Sequence, residues 1–96
     1  MAVPETAGED VAMRRKRLRY RAWHRGTREM DLVLGPFADA HADNYGPDDL
    51  NRLEALMEEQ DTDLLKWVMG QEPPPEQVDT EFLALVIADH QKRIEK

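Results

Sequence analysis

Apolar residues recur at helical spacing along most of the chain, and no stretch alternates in the manner of a strand. Leu18 and Ala22 lie four apart, with Tyr20 and Trp23 on an adjoining stripe, which predicts a first helix over about 13–24. Gly26 is placed to stop it. Met30, Val33, Leu34 and Phe37 fall at i, i+3, i+4 and i+7 and predict a second helix. Thr27 can cap that helix, and Glu29 and Asp31 suit its electropositive first turns. Gly35-Pro36 interrupts the pattern. Proline inside a helix forfeits a hydrogen bond and clashes with the preceding turn, at about 3 kcal/mol, so a kink or a break is expected there.

Tyr45-Gly46-Pro47 reads as a turn, with Pro47 suited to the first position of a third helix. The buried stripe of that helix is Leu50, Leu53, Leu56 and Met57. Asp61 is expected to cap a short fourth helix over 62–69 that turns Leu64, Leu65 and Val68 inward, packs Trp67 in the core and stops at Gly70. Residues 71–77 hold three consecutive prolines and predict a stiff extended linker. A last helix over 78–94 carries Phe82, Leu83, Leu85, Val86 and Ile87 on more than one stripe, and is expected to be the most buried element. The fold class is therefore all-α, a compact bundle of about five short helices. Residues 1–12, small, polar and acidic, read as a disordered tail, and 13–96 as a single domain.

A chain of 96 residues forms a thin core, so a docking surface suits it better than a deep cavity. It contains no cysteine and no serine, which removes disulfides, thiolate metal sites and the two commonest nucleophiles. His24, His41 and His90 lack metal-ligand spacing, and no metal is expected. No phosphate-binding loop is present, and no pair of acids is marked out for proton transfer, so a non-catalytic protein is expected. The longest apolar run, Phe82 to Ala88, is seven residues, too short to span a bilayer. The acidic start of the chain does not resemble a secretory or transit segment, and the cytoplasm is the expected compartment.

Net charge is −7, but the charge is unevenly placed. Arg14, Arg15, Lys16, Arg17, Arg19, Arg21, Arg25 and Arg28 put eight cations in fifteen residues. From Glu29 to Glu81 there are fifteen acids against Arg52 and Lys66. Such asymmetry steers association with a charged partner. The segment 14–28, with Tyr20 and Trp23 among its arginines, supports one reading as a small nucleic-acid-binding or regulatory protein. The acidic remainder of the chain opposes that reading.

The joint Arg25-Gly26-Thr27-Arg28-Glu29 supports two readings. In one it is a capped turn. In the other it is a docking corner, where Gly26 admits a foreign backbone, Arg25 and Arg28 offer forked donors, and Glu29 accepts.

From about Arg15 to Arg93 the chain resembles the succinate dehydrogenase assembly factors, the small flavinylation factors of bacteria and mitochondria. The resemblance lies in His24-Arg25-Gly26-Thr27-Arg28-Glu29-Met30-Asp31, then Pro36-Phe37, then Asp61-Thr62-Asp63-Leu64-Leu65-Lys66-Trp67. Arg25, Gly26 and Glu29 match the family's R-G-x-x-E hallmark. Thr62 stands where the second block, D-P-D-L-x-x-W, usually has proline. The resemblance implies a five-helix chaperone that binds the flavoprotein subunit of succinate dehydrogenase, and often of fumarate reductase, and promotes its covalent histidyl–FAD bond. It implies that Arg25, Gly26, Arg28, Glu29 and Asp31 bind the partner. No cofactor is expected to be stably bound, since FAD belongs to the client. No nucleic acid or membrane partner is expected, and the free chain is expected to be a monomer.

Overall fold

The first helix begins where Asp10 supplies its cap. The Asp10 carboxylate accepts from the Met13 amide at 2.7 Å, and helix α1 spans Val11–Trp23. It thus starts two residues ahead of the expected boundary, and Asp10 belongs to the folded body rather than to a tail. The computed structural model describes residues 10–94, so the rest of the expected tail, 1–9, lies outside the described residues.

Helix α2 spans Arg28–His41 and runs without a break through Pro36. The apolar face explains this. Val33, Leu34, Phe37 and Ala38 are all buried on either side of the proline. Burial of each large side chain contributes about 1.5–3 kcal/mol, which together outweighs the proline penalty. Gly35 has a separate reason. A Cβ there would stand 2.3 Å from the Trp23 indole. Absence of a side chain lets α1 and α2 pack closely, and the Trp23 Nε1–H reaches across to Asp39 at 3.1 Å.

A 3-10 turn, Ala42–Asn44, leads to α3, Pro47–Met57, which opens on Pro47 and buries Leu50, Leu53, Leu56 and Met57 as expected. Helix α4 spans Asp61–Val68 and buries Leu64, Trp67 and Val68. Gln60 occupies its cap position, without a side-chain bond, so the expected capping role of Asp61 is corrected. The carboxylate of Asp61 has a different partner, described below. Bonds from Gly70 N to Trp67 O (3.2 Å) and from Gln71 N to Lys66 O (2.8 Å) close the helix in the Schellman pattern.

Helix α5, Thr80–Ile94, starts two residues later than expected. Asp79 caps it by accepting from the Phe82 amide at 3.0 Å, and grips Arg52 of α3 at 2.6 and 3.1 Å. It is not the most buried element. Only Phe82, Leu83 and Val86 are buried, and Leu85 is 53% exposed. Six residues of α2 are buried, because α2 lies centrally against α1, α4 and α5. Of its second apolar stripe, Leu85 faces outward while Ile87 is partly buried against the core. Phe37 and Phe82 meet edge to face at 5.7 Å where α2 crosses α5. The described residues form five α-helices and no strand, in keeping with the expected class.

The basic segment and the acidic body are joined within the fold. Arg14, only 9% exposed, reaches Glu54 at 2.8 Å and Asn51 at 2.7 Å on α3. Arg17 and Arg21 also reach Glu54, both at 3.3 Å. Arg19 pairs with Asp43, and Arg15 donates to the Tyr45 carbonyl. Much of the charge asymmetry is an intramolecular seam between α1 and the chain that follows α2.

Leu53, fully buried, should lose about 2–5 kcal/mol of stability on Leu53→Ala, measured by urea unfolding followed by helical circular dichroism. The Arg14 hydrogen bond, aided by Arg17, holds the Glu54 carboxyl below its ordinary value of 4.5. The unfolded chain therefore takes up that proton first on acidification. The stabilisation is complete above pH 4.5 and is lost as pH falls through the lower folded value. Glu54→Gln should flatten that part of the stability–pH curve; an unchanged curve would show that the seam contributes nothing.

Candidate functional site

The corner between α1 and α2 is built from three turn residues. His24 caps the end of helix α1, and its ring stacks on Tyr20 at 4.0 Å. Gly26 then adopts φ +104°, a conformation that L side chains rarely take. Thr27 opens α2, its hydroxyl accepting from the Met30 amide at 3.3 Å. The chain reverses here because each of these three residues does what its side chain, or lack of one, favours.

Arg25 faces inward. Its Nε donates to Asp61 Oδ1 at 2.9 Å, Nη1 to the Met57 carbonyl at 2.6 Å, and Nη2 to the Glu59 carbonyl at 2.9 Å. Nη2 also lies 2.8 Å from Asp61 Oδ1, and the two side chains are only 10% and 14% exposed. One guanidinium thereby ties the corner to the end of α3, to the loop after it and to the first residue of α4. Asp31 works from the other side, its Oδ1 accepting from the Arg25 amide at 2.6 Å.

The five residues singled out by sequence thus separate into two groups. Gly26, Arg28 and Glu29 are exposed, together with Thr27. The side chains of Arg28 and Glu29 have no hydrogen bond or ion pair among the described residues, and both are exposed with their charges available. A Cβ on Gly26 would meet nothing within 4 Å, so the space above this backbone is open. Arg25 and Asp31 instead bind their own chain. Sequence reasoning treated Arg25 as an outward fork and missed Asp61 as its partner. The available signal was that Arg25 and Asp61 each stand in one of the two motif blocks.

An open trough of about 420 Å³ adjoins the corner, with Arg21, His24 and Arg25 on one side and Met57, Glu58 and Asp61 on the other. Its walls are mostly charged, unlike the largely apolar clefts that enclose cofactors. Among the described residues, no group of three or more histidine or acidic side chains is arranged to hold a metal ion. No helix among them is long and apolar enough to cross a membrane. Trp67 is 6% exposed and packs in the core, as expected.

The sequence model of the family described as the flavinator of succinate dehydrogenase matches residues 16–90, which include both motif blocks and the whole corner. The chain belongs to that family. Membership in this flavinator family carries its role, flavinylation in the assembly of succinate dehydrogenase. The FAD assembly factor SdhE of Acetobacter pasteurianus is 38% identical over 87 residues, covering 91% of this chain and 80% of the relative. Succinate dehydrogenase assembly factor 2-B, mitochondrial, of Drosophila ananassae is 32% identical over 95 residues, covering 97% and 58%. The mitochondrial assembly factor 2 of Dictyostelium discoideum is 32% identical over 77 residues, covering 80% and 55%. The chain thus spans most of the bacterial flavinator's length and just over half of these two mitochondrial ones.

Removing the clamp strands its acceptors. Arg25→Met should destabilise the protein by roughly 1–3 kcal/mol, because the Asp61 carboxylate and two carbonyls lose a donor in a poorly solvated place. Thermal unfolding measures it, and an unaltered midpoint would show that water replaces the guanidinium without loss.

Proposed function

We propose that the exposed corner Gly26-Thr27-Arg28-Glu29 docks on the flavoprotein subunit of succinate dehydrogenase and promotes covalent attachment of its FAD. The observation that carries this reading is the combination of an open glycine backbone with two oppositely charged side chains, unpartnered among the described residues, on a turn clamped through Arg25. Gly26 admits close approach of a client backbone. Glu29, in the first turn of α2, accepts from a client arginine or amide, and Arg28 forks onto a carboxylate or carbonyl. In this reading Arg25 and Asp31 act from within, by holding the corner still.

The bond itself forms in the client, between a histidine and the flavin 8α carbon. The factor contributes geometry. Holding client segments so that these atoms lie within reach lowers the barrier through proximity and preorganisation. A preformed corner binds without first ordering itself, so less of its binding energy goes into ordering. The chain holds no FAD stably in this proposal and acts as a free monomer on its client, without catalysis of its own. Fumarate reductase is a second client of the same chemistry, and a cytoplasmic site of action belongs to the same reading.

The nucleic-acid alternative has less support. Arg14, Arg15, Arg19, Arg21 and Arg25 all face acceptors of their own chain, which removes most of the cationic stripe that phosphates would track.

Glu29→Ala tests the proposal. The client's covalent flavin, read as in-gel fluorescence, should fall several-fold in cells carrying the variant, while helicity and unfolding midpoint match wild type. Normal flavin levels with this variant would remove Glu29 from the interface.

A further inference from the structure

We propose that Asp61 is a positioning residue for client recognition, holding the Gly26–Glu29 corner in its binding pose through Arg25. The inference rests on the docking reading above and deepens it, because it assigns a task to the second motif block.

Asp61 opens α4, thirty-six positions along the chain from Arg25. Its carboxylate would ordinarily serve the amides of its own helix start. Instead Oδ1 lies within bonding distance of both Nε and Nη2 of Arg25, at 2.9 and 2.8 Å. One carboxylate oxygen is thus shared by both nitrogens on one edge of the guanidinium and anchors that edge. The remaining acceptors, the Met57 and Glu59 carbonyls, each engage a single Nη atom. Asp61 is the one charged group among the three acceptors, and charge-assisted bonds are the stronger kind. With so little of either side chain exposed, water competes weakly for the pair.

The path to the surface is short. The guanidinium fixed by Asp61 and the amide fixed by Asp31 belong to the same residue, so Arg25 is held at both its side chain and its backbone. Gly26, at φ +104°, is its immediate neighbour, so the exposed corner begins one residue from the clamp and its starting point is set by where Arg25 is held. Asp61 turns its carboxylate to Arg25, leaving the exposed corner to make the client contacts. Loss of its charge therefore leaves those contacts chemically intact and misplaces them.

The test is a double-mutant cycle with full-length protein and the purified, FAD-loaded flavoprotein subunit, below the unfolding temperature of every variant. Asp61→Asn should weaken binding about tenfold in the wild-type background and less than about twofold in the Glu29→Ala background, because residues that act through one contact are not additive. Equal weakening in both backgrounds, or none in either, overturns the proposal. Binding unaffected by Glu29→Ala alone would instead reject the docking corner on which it rests. The amide resonances of Gly26 and Arg28 should also shift in free Asp61→Asn, and unmoved resonances count against the inference. Should Asp61→Asn fail to fold, Asp61→Glu keeps the charge and displaces it by one methylene. It should again weaken binding only where Glu29 is present, and equal effects in both backgrounds overturn the proposal.

Discussion

The Arg25 guanidinium is the contact on which the site depends. It reaches from the α1–α2 corner to the end of α3, the loop after it and the start of α4. Donation to the Met57 and Glu59 carbonyls satisfies groups that the end of α3 leaves without helical partners. Pairing with Asp61 keeps the cation from standing unmatched in a poorly solvated place. A lysine would carry the charge and lack the planar fork, so this junction requires arginine.

Around that clamp the corner is tied to the body of the protein yet accessible. Turn formation and recognition were competing explanations for Arg25-Gly26-Thr27-Arg28-Glu29, and the turn the structure shows leaves part of the segment exposed. Thr27, Asp31 and Arg25 build the turn. Gly26, Arg28 and Glu29 remain outside it. The division has a simple cause, since at the start of a helix successive side chains point in different directions and only some can face the body of the protein.

The same economy governs charge. A strongly basic helix beside a strongly acidic remainder suggested a partner of opposite sign. Most of that opposition is resolved inside the chain, with Glu54 receiving Arg14, Arg17 and Arg21. Arg28 and Glu29 differ from these residues in having no such partner among the described residues. Availability, rather than abundance, marks the charges suited to recognition.

Sequence alone determined the five helices, most of their buried faces, the turn glycines Gly26 and Gly70, and the family, because helical period, capping chemistry and short motifs are local properties. It also located the corner. Only the tertiary structure decided that α2 continues through Pro36, that α5 leaves Leu85 in solvent, and that Asp61 serves Arg25 rather than its own helix. Each of these outcomes depends on what lies across a packing interface. Local rules price a proline or a cap against the residues beside it, whereas the folded chain sets them against neighbours thirty or more positions away.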